Sequence, residues 1–436
     1  MVAAIVYVGA VHWSYVTIIS PLYSYNGALY QPASDGSLPF ALVVAVLPAV
    51  WLPITVSRPS QVAQWVLFVL GYVPTILFPY YVLGTGFQGI LPFTLAVAGS
   101  FAMLSAMGGI RLGGTLRPTI PMRTFENMAI GLALVLAAYI ILAFGFSFSL
   151  PSLGNVYDVR SSFDQAVISA SLPLVAYIVD WSLYVASPLL MLLGLRSRRY
   201  GMLAGGLALE LLVYSTTGYK SAVLSFLLVV PLLVLLARRF RGAFGVNLPA
   251  AGAILVLGSV AWDRISGTIL LSFLFIHRAI ALPGQLVADY YDFFSNHRQF
   301  ELTQSIFAFL GPTPFDLPPP RLIGAVYFNA PSEDANANLW ADAFANFGLA
   351  GVITFTITLG LVFIFLDNAA TGRDLRVTGP IAGLMAIVLS NSALLTTILT
   401  HGLAFAIVLF YFMPQEAEPS AQFQAGLAGL QPVDSS

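Results

Sequence analysis

The side chains best suited to chemistry in this sequence are cations and acids between residues 263 and 347. Guanidinium groups bind phosphates and carboxylates through paired hydrogen bonds, so several arginines in one connection suit an anionic ligand. The arginines of this stretch are Arg264, Arg278, Arg298 and Arg321. Solvated loop charge is the alternative interpretation, since exposed ion pairs are common on protein surfaces.

An apolar run, 268–276, ends directly at His277-Arg278. It is too short to cross a bilayer, so it is predicted to lie in the interface or to re-enter between helices. Asp289-Tyr290-Tyr291-Asp292 follow, and rings beside carboxylates are typical of a sugar-binding groove. An interfacial aromatic belt would have the same composition.

The end of the stretch offers candidate proton acceptors. The proline-rich segment 311–321 is predicted to be stiff and to present Arg321, although a spacer would look the same. Further along, two acids and two amides precede an apolar helix and could bind or deprotonate a hydroxyl group. These residues are Glu333, Asp334, Asn336 and Asn338. Helix capping is the alternative, and it is favoured for Asp342 and Asn346.

The elements that position these residues follow from the composition. Of 436 residues, 58% are hydrophobic and only 8% are charged, whereas soluble domains carry about a quarter charged residues. A soluble enzyme, a nucleic-acid binder and a disordered protein are thereby excluded. The 27 prolines and 37 glycines indicate broken or closely packed membrane helices.

Apolar stretches predict an all-α polytopic membrane protein with about twelve transmembrane helices. Nine lie in 1–262, an external loop with short helices fills 263–347, three helices lie in 348–412, and 413–436 is a disordered cytoplasmic tail. The run from Gly379 to Phe412 is too long for one crossing and is predicted to turn near Ser390-Asn391-Ser392. The predicted spans are 2–20, 38–56, 64–84, 88–108, 126–148, 171–195, 201–215, 221–237, 247–262, 348–366, 379–393 and 396–412.

The distribution of cations predicts the orientation. With residue 1 in the cytoplasm, 12 of the 18 Lys and Arg residues fall in inner loops. The other six are Arg160, Lys220, Arg264, Arg278, Arg298 and Arg321. Lys220 is predicted in a tight turn between two membrane helices, where an unpaired cation favours a functional role.

Cofactor chemistry finds little support in the sequence. There is no cysteine, and the four histidines lack the spacing of a metal site. No phosphate-binding loop or dinucleotide motif is present, so no metal and no cofactor are predicted. Asp180 and Glu210 lie within spans, where pairing or hydrogen bonding inside the bundle is favoured over a proton relay.

Several short motifs, in this order along the chain, resemble the O-antigen polymerase family, also called Wzy or oligosaccharide repeat unit polymerase. They are Thr217-Gly218-Tyr219-Lys220-Ser221, Arg278 to Pro283-Gly284, Tyr290-Tyr291-Asp292-Phe293-Phe294, Asn336-Ala337-Asn338-Leu339 and Asn346 to Gly351. The resemblance implies a GT-C-like, inverting and metal-independent glycosyltransferase of the bacterial inner membrane, with its active site facing the periplasm. Arg278 and Lys220 match the family's basic positions best.

The resemblance also implies the substrates. Donor and acceptor would be undecaprenyl-diphosphate-linked oligosaccharides among the membrane lipids, with a chain-length regulator and a flippase as candidate partners and no nucleic acid. Arg278 and Lys220, with Arg264, Arg321, Arg298 and Arg160, would stabilise the diphosphate. Asp334, Glu333 or His277 would act as base, and Tyr290, Tyr291, Asn336 and Asn338 would bind sugars. The alternatives are an O-antigen ligase, disfavoured by Ala337 where ligases place a His before the Asn, and a flippase or transporter.

Overall fold

The computed structural model describes residues 1–112, 118, 120–145, 174–219 and 229–415. Helices dominate this part of the chain, which contains no β-strand. The helices are α1 (Val2–Asn26), α2 (Ser37–Val50), α3 (Pro59–Val82), α4 (Gly86–Met107), α5 (Met122–Phe144), α6 (Val175–Ser197), α7 (Tyr200–Thr217), α8 (Phe244–Ser266), α9 (272–296), α10 (Pro319–Phe328), α11 (Leu339–Ala370), α12 (Leu375–Leu389) and α13 (Leu394–Phe412, interrupted at 400–402). Shorter helical pieces lie at 229–235, Arg238–Arg241 and Ala308–Leu310.

Eight of these helices are long and apolar enough to cross a membrane, namely α1, α3, α4, α5, α6, α8, α11 and α13. The protein is thus consistent with an all-α polytopic membrane protein. Helices α2 and α12 are apolar but shorter, α7 covers the predicted span 201–215, and the predicted span 221–237 is described only from residue 229. The figure of twelve crossings and the GT-C-like arrangement remain predictions.

Prolines explain where the described helices widen. Four π-helical segments, Tyr15–Ile19, Phe68–Tyr72, Ser182–Ala186 and Ser272–Ala281, each end two residues before a proline. Proline donates no backbone hydrogen bond and its ring clashes with the preceding turn, so a wider turn relieves the conflict. The longest of these segments begins α9 and carries His277 and Arg278.

Helix α3 forms the centre of the bundle. Almost all of it is buried, and it packs against α12 and the second half of α9, while α11 packs against α4 and α1 against α8. Helix α11 departs from helical geometry at Phe347 and Gly348, where Gly348 has a φ of 58°. Left-handed geometry of this kind favours glycine, so this kink separates residues 339–346 from the apolar remainder of α11.

One end of the bundle gathers basic residues and their acids. Asp374 accepts from Arg196 at 3.2 Å and from Arg376 at 3.0 Å, and Arg199 lies 2.5 Å from Glu126. Arg196, Arg199, Asp374 and Arg376 belong to loops that the sequence assigns to one side of the membrane, and Glu126 lies near the start of α5. We call this end the basic face, and we call the opposite end, which carries residues 267–338, the loop face.

Candidate functional site

Helix α9 anchors the loop face to the bundle. The Gln285 side-chain amide donates to the Asn26 carbonyl at 2.8 Å, and the Tyr291 hydroxyl donates to the Gly89 carbonyl. Gly284 packs on Phe78 so closely that a Cβ atom would lie 2.5 Å from the ring. The helix is therefore fixed against the ends of α1, α3 and α4, which gives the side chains along it defined positions.

The structure separates the six cations that the sequence treats alike. Arg160 and Lys220 lie outside the described residues. Arg321 pairs with Asp334 at 3.3 Å, and Arg298 lies 3.9 Å from Glu301. These two charges are already compensated by neighbouring carboxylates, although all four side chains are exposed.

Arg264 and Arg278 form no ion pair within the described part of the chain. The Arg264 guanidinium lies 5.7 Å from the ring centre of Trp13, and that of Arg278 lies 5.4 Å from the ring centre of Phe273. Both arginines are exposed. Cation–π contacts orient a guanidinium without neutralising its charge, so these two arginines keep the capacity to bind an anion.

His277 lies beside Arg278 but points into the protein. Its ring is only 4% exposed and stacks on Tyr23, with ring centres 3.9 Å apart. Neither ring nitrogen has a hydrogen-bond partner among the described residues. Burial, and then the charge of Arg278, lower the pKa of His277 to about 4. A neutral, weakly basic imidazole is a poor proton acceptor, which disfavours the predicted base role.

Two carboxylates on α9 differ sharply in environment. Asp289 is 5% exposed, and its Oδ2 atom has no hydrogen-bond partner within the described residues. Asp292, one turn later, is exposed and accepts a hydrogen bond from the Tyr327 hydroxyl at 2.5 Å. Burial, and then Asp292, raise the pKa of Asp289 to about 8. Two carboxyl groups in such different environments, one buried with a raised pKa and one exposed, are typical of acid–base sites.

We expect Asp289→Asn to stabilise the protein at alkaline pH. The folded protein retains a proton on Asp289 that the unfolded chain releases above about pH 4, so this carboxyl lowers the free energy of unfolding progressively between about pH 4 and pH 8. The Asp289→Asn variant has no ionisable group at this position, so its free energy of unfolding is not lowered in this way. In lipid nanodiscs, the unfolding temperature of the variant should exceed that of the wild-type protein by a small amount at pH 5 and by the largest amount at pH 9.

The exposed residue Asp316 supplies the matched control. Asp316→Asn should shift the unfolding temperature equally little at pH 5 and pH 9. An Asp289→Asn advantage that did not grow with pH would contradict the raised pKa of this carboxyl.

The predicted acids and amides before α11 divide into surface and capping residues. Glu333 and Asn336 are exposed, and Asp334 is held by Arg321. Asn338 is buried, where its Oδ1 atom accepts from the backbone N–H groups of Trp340 and Ala341 and its amide donates to Thr75. The structure thus gives Asn338 the role of an N-cap of α11 rather than an open sugar contact.

The aromatic residues of α9 pack inside the protein. Tyr290 is buried and donates to the Ala335 carbonyl at 3.2 Å. Tyr291 is half-buried, with its ring between Phe93 and Phe344, whose ring centres lie 4.9 Å away. Sugar stacking needs an exposed ring face, so the binding role predicted for Tyr290 does not fit this conformation.

In the sequence, Asp289 and Asp292 indicate only a candidate sugar-binding groove, and neither an acid–base role for them nor a role for Tyr327 is predicted there. Asp289 and Asp292 are three positions apart on one helix, which places both side chains on neighbouring turns of the same face. This spacing is the sequence feature that could have indicated the pair. Tyr327 could not be linked to Asp292 from sequence, because 35 positions separate them. Within the described residues, no three His, Cys, Asp or Glu side chains are arranged to hold a metal ion.

In comparisons with known proteins, no family model, curated protein or solved structure matches this chain.

Proposed function

We propose that this protein polymerises undecaprenyl-diphosphate-linked oligosaccharide repeat units by inverting, metal-independent glycosyl transfer at the loop face. The observation that carries the proposal is that Arg264 and Arg278, beside α1, are exposed and form no ion pair within the residues that the structure describes. The resemblance of the sequence motifs to the O-antigen polymerase family supplies the reaction class.

The leaving group defines what the arginines must do. As the anomeric bond breaks, negative charge develops on the lipid diphosphate, and fixed cations stabilise it most when they are oriented in advance. The aromatic contacts to Trp13 and Phe273 supply that orientation for Arg264 and Arg278. Arg321 and Arg298 contribute less, because each has a carboxylate partner.

Asp292 is the proton acceptor that the structure supports best. It is exposed, whereas Asp289 is buried and protonated at neutral pH, Asp334 is paired and His277 is weakly basic. Arg278 and Asp292 lie 14 positions apart on α9, which separates their Cα atoms by roughly 20 Å along the helix axis. The two side chains can extend from there towards one substrate. One helix thus holds the phosphate-binding end and the proton-accepting end in a fixed relation.

The purified protein with undecaprenyl diphosphate oligosaccharide tests the reaction directly. A ladder of lengthened glycans supports polymerisation. A single transfer to a lipid A-like acceptor would instead establish a ligase, and movement across reconstituted bilayers without covalent change would establish a flippase. Either of those results refutes the polymerase.

The proposed location is the bacterial inner membrane with the loop face in the periplasm, because basic loops favour the cytoplasm. The chain has no cysteine, so single introduced cysteines can report sidedness. In intact spheroplasts an impermeant maleimide should label Glu333→Cys on the loop face, and should label Arg238→Cys only after the membrane is permeabilised. The reverse pattern would refute this orientation.

A further inference from the structure

Three polar side chains that do not belong to α9 form a hydrogen-bonded row. His401 Nδ1 lies 2.8 Å from Asp180 Oδ2, and His401 Nε2 lies 3.0 Å from Ser392 Oγ. Asp180 lies in α6, Ser392 in the turn between α12 and α13, and His401 at the interruption of α13. Residues more than 200 positions apart thus meet in one row.

The surrounding packing holds the row in place. Gly402, with a φ of 93°, breaks α13 directly after His401 and leaves no room for a Cβ atom beside Trp181. The Trp181 indole N–H donates to the Leu399 carbonyl at 3.0 Å, and its ring stacks on Phe405. The helix carrying Asp180 is therefore fixed to the chain on both sides of His401.

The two hydrogen bonds are compatible with the following arrangement of hydrogens. If Asp180 is ionised it can only accept, so His401 Nδ1 carries the hydrogen and, in the neutral ring, Nε2 presents its lone pair. The Ser392 hydroxyl is then the donor to Nε2. One of these hydrogen bonds would be enough to link the helices. The two together place a hydroxyl, an imidazole and a carboxylate in the order of nucleophile, base and orienting acid.

We propose that Ser392, His401 and Asp180 form a nucleophilic triad that cleaves carboxylic esters of membrane lipids. Asp180 is buried, while Ser392 and His401 are partly exposed between apolar helices. The aromatic side chains of Tyr184, Trp181 and Phe405 lie beside His401 and its helix, and apolar surroundings of this kind suit the acyl chain of a lipid ester. The proposal stands independently of the glycosyl transfer assigned to the loop face.

The reaction balances with water as the second substrate. Ser392 Oγ attacks the ester carbonyl carbon while its proton passes to His401 Nε2, and the bond to the alcohol oxygen breaks as the alcohol takes that proton. Water then attacks the acyl group on Ser392, with His401 again accepting a proton. A fatty acid leaves, and the serine regains its hydrogen.

An alkyl fluorophosphonate tests the nucleophile, since it reacts covalently with activated serines and leaves ordinary ones unmodified. We expect the wild-type protein in nanodiscs to be labelled at Ser392, as located by peptide mass spectrometry, and to release fatty acid from a lipid ester. Ser392→Ala should abolish both, and Asp180→Asn should slow labelling by about 10²-fold or more because the histidine loses its fixed tautomer.

Ser390→Ala is the matched control. Its hydroxyl lies two residues away and donates only to the Ala386 carbonyl, at 2.9 Å, so its loss should leave labelling unchanged. Thermal unfolding shows whether each variant is folded. Labelling that is lost in a folded variant can then be attributed to the missing side chain. A folded wild-type protein that takes up no label, or labelling that persists in folded His401→Gln, overturns the proposal.

Discussion

Arg278→Ala is expected to reduce glycan polymerisation by about 10²–10³-fold, the usual cost of removing one preoriented group that stabilises developing charge. Arg278 lies exposed over Phe273 and has no ion-pair partner in the described chain, so its whole charge can act on the diphosphate. The ladder of products from purified protein gives the rate. Arg278→Lys should recover part of it, because it keeps the charge but loses the paired hydrogen bonds.

Comparison with Arg298→Ala shows whether the lower rate of Arg278→Ala is specific to Arg278 or follows from removing any positive charge in the loop. Arg298 lies in the same loop but is 3.9 Å from Glu301, and both side chains are largely exposed. Its removal should change the rate less than about fivefold, since exposed pairs contribute up to about 1 kcal/mol. Equal losses in the two alanine variants would contradict a specific role for Arg278.

Asp292→Asn should lower the rate by about 10²–10⁴-fold, the range for loss of a positioned general base. The amide keeps the shape of the side chain and still accepts from the Tyr327 hydroxyl, but it cannot take a proton from the acceptor sugar. Initial rates at saturating acceptor should fall while acceptor binding changes little.

Two neighbouring variants sharpen that result. Tyr327→Phe removes the 2.5 Å hydrogen bond without removing the carboxylate, so its effect should be smaller than that of Asp292→Asn. Asp316→Asn removes an exposed acid elsewhere in the loop and should leave the rate unchanged. Full activity of folded Asp292→Asn would exclude this carboxylate as the base.

Much of the architecture could be predicted from local sequence, because the bilayer imposes a minimum length and low charge on every crossing. The long apolar stretches became helices, and the basic loops gathered at one face around acids such as Asp374 and Glu126. The turn predicted at residues 390–392 separates α12 from α13. Residues 339–346, assigned from sequence to the external loop, form a helical segment capped by Asn338, and the Gly348 kink separates them from the predicted span 348–366.

The candidate sites depended on contacts that no local pattern contains. Arg278 and Arg321 look equivalent in sequence, and only the position of Asp334 neutralises one of them. Asp289 and Asp292 share a helix, yet Asp292 is exposed, whereas Asp289 is buried and its pKa is raised mainly by that burial. The sequence determined which residue types are scarce and where the membrane helices lie, because the apolar length needed for a crossing is a property of one continuous segment. Tertiary structure decided which charges stay uncompensated and which distant side chains meet, as Asp180, Ser392 and His401 do, because packing and burial join segments far apart in the chain.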